Sequence, residues 1–185
     1  MDFGAAATDA VYILVTNPID VLTKIATDVA GVAPRGVHAM ILGEHGDSAF
    51  PLWSNATLGG SPIREWVDES DAKIFDDAML ADLANRAVLS AYSIIAGKGA
   101  TNYAIGLAGV RLVEAILRDE HMVTPISTVL RDYDDVDGIA LSVPCILGAG
   151  GAQRVLRVPM DRRERDAFQR SGAAIRTVLE QIGQL

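Results

Sequence analysis

Apolar residues near the start of the chain form strand-like runs separated by helix-like spacing. The run Tyr12–Thr16 is continuous, rich in β-branched residues and closed by Asn17-Pro18, which predicts a buried strand. From Asp20 to Ala30 the apolar residues recur at helical spacing, so a helix follows. A second apolar run, Val37–Leu42, predicts another strand that leads directly into the polar loop Gly43–Ser48. This succession of elements is typical of an α/β protein.

The remainder of the chain predicts two helices, a group of strands and a final helix. Residues 71–96 carry an apolar stripe at helical spacing that ends at Gly97-Lys98-Gly99, and a further helix follows Thr101-Asn102. Because the second helix contains glycines that permit close packing, we expect it to lie against a neighbour. Residues 126–158 are β-branched runs separated by glycine-containing turns, which predicts an antiparallel meander. The last helix presents one apolar stripe, formed by Phe168, Ile175, Leu179 and Ile182.

Composition and charge restrict the class of protein. The 185 residues are 50% hydrophobic and 22% charged, which is typical of a globular domain, alone or with a fragment of another. The net charge of −8 repels phosphate backbones and anionic lipids, so we expect neither nucleic acid nor a membrane as a partner. No apolar run reaches the roughly 20 residues of a membrane helix, and no basic signal segment opens the sequence. With one cysteine, Cys145, in an apolar context, these features favour a reducing, cytoplasmic location.

His45 is the strongest candidate for chemistry. Gly43 and Gly46 lie on either side of it, and Glu44 and Asp47 are its nearest acidic neighbours. Its imidazole can therefore be exposed beside carboxylates, as a general acid or base that works near neutral pH requires. A surface histidine in a glycine-rich turn is the simpler alternative.

A metal site is a second interpretation of the same loop. Glu44, His45 and Asp47 could supply ligands, but a further donor would be needed, and His38 or His121 would have to provide it. No recognised metal-binding spacing supports this arrangement, so we predict no metal.

Three further residues have both a functional and a structural interpretation. Asn17 follows a predicted buried strand, where α/β proteins place ligands, although an Asn-Pro turn is the simpler explanation. Thr101 begins a predicted helix, and we expect it to cap that helix through its side chain. His38 lies in a predicted strand, where a histidine is ordinarily bonded to a backbone carbonyl.

Five ordered motifs carry a specific resemblance to a known family: VTNPIDVLT, VHAMILGEHGDSAFPLWS, GKGATNYAIGLAG, TPISTVL and LSVPCILG. From Val11 onward, the chain resembles the C-terminal part of the bacterial L-lactate dehydrogenases of the lactate/malate dehydrogenase family. The resemblance implies an α/β fold in which residues 34–185 form the α+β substrate and catalytic domain. Residues 1–33 would be the last strand and helix of an otherwise missing dinucleotide-binding (Rossmann) domain. It also implies NAD as cofactor, a small 2-hydroxy or 2-oxo acid as substrate, and a homo-oligomer, either a tetramer or a dimer.

The resemblance implies particular roles in catalysis and substrate binding. His45 would donate and accept the proton on the substrate C2 oxygen, while hydride moves between C2 and the nicotinamide C4. Asn17 would hydrogen-bond the substrate beside the nicotinamide ribose, and Thr101 would form a wall of the substrate pocket. Malate members usually have glycine at the position of Glu44 and a small residue other than threonine at that of Thr101, so lactate is favoured and malate is the alternative.

Cofactor and effector contacts are implied in the same way. Val15 and Thr16 would line the NAD site through their backbones, next to Asn17, and Ile105 would pack near the nicotinamide ring. His38 matches a histidine that helps to bind fructose 1,6-bisphosphate between subunits in the allosteric bacterial members.

The sequence also departs from the family. It has no GxGxxG motif after a first strand, and between Ala30 and Val37 it has six residues where the family has a further strand and helix. In the family that segment supplies the aspartate paired with the catalytic histidine and the arginine that binds the substrate carboxylate. We therefore expect little activity from this chain alone. The alternative is a non-catalytic subunit that associates with a full-length homologue.

Overall fold

A computed structural model describes residues 36–185 of the chain. In this part, several two-residue strands come first, two helices follow, and an antiparallel sheet precedes the last helix. The strands are β1 Val37–His38, β2 Ile41–Leu42, β3 Phe50–Pro51, β4 Thr57–Leu58, β5 Ser61–Pro62, β6 Met122–Val129, β7 Ala140–Gly148 and β8 Gly151–Val155. The helices are α1 Asp77–Lys98, α2 Asn102–Leu117 and α3 Arg162–Gln181, and 3-10 turns lie at Trp53–Asn55 and Ile63–Glu65.

The three strands β6, β7 and β8 form the predicted meander. β6 pairs antiparallel with β7, from Met122 opposite Leu147 to Val129 opposite Ala140, and β8 pairs antiparallel with the other edge of β7. The prediction of an antiparallel meander over 126–158 is confirmed, with a first strand that begins earlier, at Met122. β7 is largely buried because it is the central strand of this sheet.

Helix α3 packs on this sheet through Phe168. The Phe168 side chain is fully buried, and its ring centroid lies 5.4 Å from that of Tyr133 and 6.4 Å from that of Phe50. Tilted and edge-on arrangements at these distances are favourable for aromatic pairs. The three rings join α3, the turn before β7 and the strand after the His45 loop into one hydrophobic core.

The rest of the predicted stripe on α3 behaves as expected except at its end. Ile175 and Leu179 are partly buried and pack against the same core. Ile182 is 63% exposed, so its assignment to the stripe is wrong. The helix ends at Gln181, and Gly183, with a φ of 68°, turns the chain away.

The first half of α1 belongs to a second hydrophobic core. Its side chains pack with those of β1, β4 and the neighbouring turn; the buried members are Val37, Ala56, Leu58, Ile63, Phe75, Leu80 and Leu83.

The predicted helix over 71–96 is wrong at its start. The Asp76 side chain accepts a hydrogen bond of 2.8 Å from the Met79 backbone and so caps a helix that begins at Asp77. Gly99, with a φ of 82°, ends it.

The predicted single strand Val37–Leu42 is also wrong. β1 pairs with β4, whereas β2 pairs with β3 in a separate sheet. The chain changes partner between them, and the Leu52 backbone donates a hydrogen bond of 2.8 Å to the Met40 carbonyl at that point. A continuous apolar run therefore serves two sheets, which its hydrophobicity alone does not reveal.

Helix α2 lies against β7, as predicted, with Ala115 fully buried on the inner face. Gly106 has open space around it, so it does not provide the close packing expected of the glycines. Its outer face is apolar and exposed. Tyr103, Leu107, Val110 and Leu117 have exposed fractions of 76%, 71%, 63% and 80%. Since α2 is apolar on both faces, it has the composition of a helix that is covered on both sides.

Other predictions fall partly or wholly outside the described residues. The strand at Tyr12–Thr16, the helix at Asp20–Ala30 and the domain boundary at 33/34 lie there.

Cys145 is buried, as predicted, and burial raises the pKa of its thiol. Among the helices of residues 36–185, none has the length and apolarity that crossing a membrane would require.

Candidate active site

The loop that carries His45 starts from a buried strand end. Leu42, the last residue of β2, is fully buried. The next residue, Gly43, forms an antiparallel bridge with Ser142 of β7. His45 itself is exposed, together with Gly46 and Asp47. The structure thus presents the imidazole to solvent from a loop whose base is part of the folded core.

A group of hydrogen bonds joins the two ends of the loop to each other and to helix α3. The Ser48 hydroxyl lies 2.6 Å from Glu44 Oε1, and the Ser48 backbone donates to the same oxygen at 3.3 Å. The Glu44 backbone donates to Ser171 Oγ of α3 at 2.6 Å, and the two serine oxygens are 3.1 Å apart. Glu44 and Ser48, the residues on either side of the exposed tip, are therefore both held by Ser171.

Two glycines lie against these hydrogen-bonded groups. Gly43 has a φ of +93°, and a Cβ at its position would lie 2.5 Å from Ser171 Oγ. A Cβ at Gly46 would lie 3.0 Å from Glu44 Oε1. The glycines flanking His45 thus make room for the hydrogen-bonded groups.

Thr101 lies at the second part of the candidate site, beside a cavity of about 380 Å³. The described residues that line this cavity are Ile94, Gly97, Lys98, Thr101 and Ala104, and the lining is almost wholly apolar. His45 and Ile105 are not among them. The structure therefore does not bring His45 and Thr101 into one cavity within the described residues.

The predicted capping role of Thr101 is wrong. Thr101 occupies the N-cap position of α2, but its side chain makes no capping hydrogen bond. Lys98 instead reaches across this helix start. Its Nζ lies 2.8 Å from Asn102 Oδ1 and 3.9 Å from the centroid of the Tyr103 ring. The Thr101 hydroxyl is thus not used as a cap, and the residue is half-buried beside the cavity.

The remaining predicted site residues are separate from these two. Ile105 is half-buried on α2, and His38 is exposed on β1, opposite Thr57 of β4. Val15, Thr16 and Asn17 lie outside the described residues. Within residues 36–185, no group of three or more histidine, cysteine, aspartate or glutamate side chains is placed to hold a metal ion.

Ser171 is the residue that sequence analysis missed. It is fully buried, although its side chain is polar. The available signal was its position: it follows Phe168 by three residues and precedes Ile175 by four, on the apolar stripe of α3. A hydroxyl on a buried stripe must find a partner, and here the partners are in the His45 loop.

Comparison with known proteins identifies the family. Residues 21–185 match the model of the lactate/malate dehydrogenase, alpha/beta C-terminal domain. The chain belongs to the lactate/malate dehydrogenase family, and the expected α/β fold of its C-terminal domain is confirmed.

Among curated proteins, the chain is similar to L-lactate dehydrogenases. It is 34% identical over 204 residues to the enzyme of Bifidobacterium animalis subsp. lactis, covering 96% of this chain and 64% of that protein. It is 37% identical to the enzyme of Salinibacter ruber, covering 92% of this chain and 62% of that protein. The chain thus spans less than two thirds of these relatives. The first match extends over 204 positions against 185 residues here, so that relative has inserted residues that this chain lacks.

Among solved structures, the chain is similar to lactate dehydrogenases. The minor L-lactate dehydrogenase from Enterococcus mundtii superposes with a TM-score of 0.82 at 34% identity, covering 88% of this chain and 51% of that one. A lactate dehydrogenase from a Medee basin deep-sea metagenome library has a TM-score of 0.83 at 31% identity, covering 89% and 52%. The described fold is therefore that of about half of a lactate dehydrogenase chain.

Proposed function

We propose that this chain is the substrate domain of an NAD-dependent L-lactate dehydrogenase, and that His45 moves the proton in the interconversion of (S)-lactate and pyruvate. The observation that carries the proposal is the setting of His45, exposed at the tip of a loop whose two ends are fixed by hydrogen bonds. A general acid or base must be accessible and held in place. Histidine suits this role because its ordinary charge change falls near neutral pH.

In this proposal, each site residue has its own role. His45 holds the proton that is given to, or taken from, the C2 oxygen, and Asn17 hydrogen-bonds the substrate. Thr101 forms the pocket wall, where its hydroxyl is free of a capping bond. NAD, when bound, supplies or accepts the hydride.

The cavity beside Thr101 supports the cofactor assignment, because its apolar lining suits one face of a nicotinamide ring. Ile105 does not itself line this cavity but directly follows Ala104, which does. The resemblance implies that Ile105 would contact the ring and that Val15, Thr16 and Asn17 would contact the rest of this end of NAD. The sequence contains no GxGxxG loop to bind the pyrophosphate. We therefore propose weak NAD binding by the chain alone.

We expect the rate of the isolated chain to be low as well. The family's substrate-binding arginine and the aspartate paired with the histidine belong to a segment that we expect to be missing between Ala30 and Val37. Removing an arginine from a desolvated carboxylate contact costs about 2 to 5 kcal/mol, and loss of a positioned acid–base partner lowers a rate by roughly 10² to 10⁴. The proposal is therefore an L-lactate dehydrogenase domain with little turnover in isolation.

Two enzyme assays, run separately with different substrates, test this function. The purified chain is checked for folding by circular dichroism, and NADH absorbance is then followed with pyruvate and, separately, with oxaloacetate, using His45→Ala as the control. Slow oxidation with pyruvate that the variant abolishes supports the proposal, and a preference for oxaloacetate would indicate a malate dehydrogenase instead. Pyruvate-dependent activity that His45→Ala leaves unchanged contradicts the role of His45.

The outer face of α2 favours a second function, that of a non-catalytic subunit. Tyr103, Leu107, Val110 and Leu117 expose an apolar stripe, and soluble proteins rarely leave such a surface uncovered. A full-length homologue, or further copies of this chain in a dimer or tetramer, would cover it. Chromatography of the chain with the full-length Bifidobacterium animalis enzyme tests this. Co-elution that Leu107→Lys abolishes supports the subunit, whereas a monodisperse monomer in both samples contradicts it.

His38 is proposed as an effector contact. Its side chain is exposed on β1, where a phosphate of fructose 1,6-bisphosphate bound between subunits could reach it. Calorimetric titration with this sugar bisphosphate tests the assignment, because His38→Ala would remove the binding heat and His121→Ala, also exposed, would not.

A further inference from the structure

The hydroxyl of Ser171 joins helix α3 to the loop that carries His45. It accepts a hydrogen bond from the Glu44 backbone at 2.6 Å, and it lies 3.1 Å from the Ser48 hydroxyl. Ser48 in turn lies 2.6 Å from the Glu44 carboxylate. Because a carboxylate can only accept and each hydroxyl has one proton, all three groups are satisfied when Ser48 donates to Glu44 and Ser171 donates to Ser48.

These hydrogen bonds lie at the two ends of the turn that carries His45. Glu44 and Ser48 are the first and last residues of the turn, and both meet the same buried oxygen. The intervening residues, including His45, are exposed. The orientation of the imidazole therefore depends on where the two ends of the turn are held.

Helix α3 has other attachments that do not involve this loop. At its first turn, the Glu164 carboxylate accepts a hydrogen bond of 2.8 Å from the Ser54 backbone and one of 2.6 Å from the Ser54 hydroxyl. Phe168 packs in the core between them and Ser171. Removing the Ser171 hydroxyl should consequently loosen the His45 loop while α3 stays in place.

We propose that Ser171 is a positioning residue, which fixes the His45 loop in the geometry that proton transfer needs. This inference rests on the function proposed above for His45. Ser171 does not touch the substrate; it acts through Glu44 and Ser48. Its loss leaves the Glu44 backbone amide without its partner and lets the turn take more than one conformation.

Nuclear magnetic resonance on the whole chain tests the inference without relying on turnover. The sequence has three histidines, so the imidazole signals are few, and His45→Ala identifies that of His45. The test compares Ser171→Ala with Ser54→Ala, a matched control that also removes a hydroxyl linking α3 to a loop. Ser48→Ala breaks the same group of hydrogen bonds from its less buried side, and it replaces Ser171→Ala if that protein does not fold.

The expected result is specific to the loop. In Ser171→Ala, the His45 imidazole signal should shift or broaden, and the amide of Glu44 should exchange with solvent about tenfold faster, as for the loss of its one hydrogen bond. Ser54→Ala should leave the His45 signal in place. Equal effects of the two variants, or no effect of Ser171→Ala or Ser48→Ala in a folded protein, would overturn the inference. Failure of the proposed function appears separately, as activity with pyruvate that does not depend on His45.

Discussion

Gly43 and Ser142 exchange two backbone hydrogen bonds, of 3.1 Å from the Gly43 nitrogen and 2.9 Å from the Ser142 nitrogen. Gly43 directly follows β2, which pairs with β3, whereas Ser142 lies in β7, which pairs with β6 and β8 in another sheet. This bridge anchors the base of the His45 loop to β7, the largely buried central strand of its sheet. Gly43 thus connects the core to the candidate site.

The first prediction concerns a side chain at Gly43. Gly43→Ala would place a Cβ 2.5 Å from Ser171 Oγ at a φ of +93°, which combines backbone strain with overpacking. We expect the free energy of unfolding to fall by about 3 to 5 kcal/mol. Gly138→Ala is the control, since it has a φ of +73° and open space around it, and should cost about 1 to 2 kcal/mol. Urea unfolding of both variants measures the difference, and equal losses would contradict the close packing.

The second prediction concerns the buried carboxylate at the start of α3. Glu164 is 6% exposed and completes a capping box with Asp161, while it also accepts both hydrogen bonds from Ser54. Glu164→Ala should lower the free energy of unfolding by about 2 to 3 kcal/mol. Glu180→Ala, near the exposed end of the same helix, should change it by less than about 0.5 kcal/mol. Thermal or urea unfolding distinguishes the two, and similar values would show that the box contributes little.

The third prediction concerns stability at high pH. Burial raises the pKa of Tyr133 above its ordinary value, and its hydroxyl donates a hydrogen bond of 3.1 Å to the Leu156 carbonyl. Above about pH 10 the unfolded chain loses this proton while the folded chain keeps it, so the unfolded state binds fewer protons and stability falls with rising pH. Below that range Tyr133 causes no pH dependence.

Tyr133→Phe provides the comparison. It should be less stable by about 1 kcal/mol near pH 8, because the hydrogen bond is lost, and its stability should decline less steeply above about pH 10. Urea unfolding at both pH values measures this. A decline identical to that of the natural chain would exclude Tyr133 as its cause.

The fourth prediction concerns the single cysteine. Cys145 is fully buried in β7, and burial raises the pKa of its thiol, so little reactive thiolate is available. A thiol reagent such as Ellman's should react at least about 100-fold more slowly with the folded chain than with the chain in urea. Rapid reaction without denaturant would contradict the burial of β7.

Regular periodicity predicted the larger elements well. The stripe containing Phe168, Ile175 and Leu179 and the β-branched runs of β6 and β7 are each decided by a repeated local pattern. The short strands were not predictable in the same way. Val37–Leu42 is one apolar run, but its two halves pair with different strands further along the chain, and pairing of this kind depends on tertiary contacts.

The residues of the candidate site also differ in how far the sequence predicts them. His45 and its glycines stand out as a motif, since residue types and spacing are visible in the sequence. Ser171 does not, because its importance comes from contact with Glu44 across a separation of 127 residues. Thr101 shows the opposite error: its position at a helix start was predicted, but its local capping bond is absent.

The attachment of α3 to the His45 loop also sets an order of events during translation. The ribosome makes Glu44 long before Ser171, and Ser142 is likewise made after the loop that it anchors. The nascent chain therefore carries His45 in an unfinished turn until α3 has been synthesised and has folded back onto it. Translation that stops before Ser171 would yield a chain with the histidine but without the contacts that hold it in place.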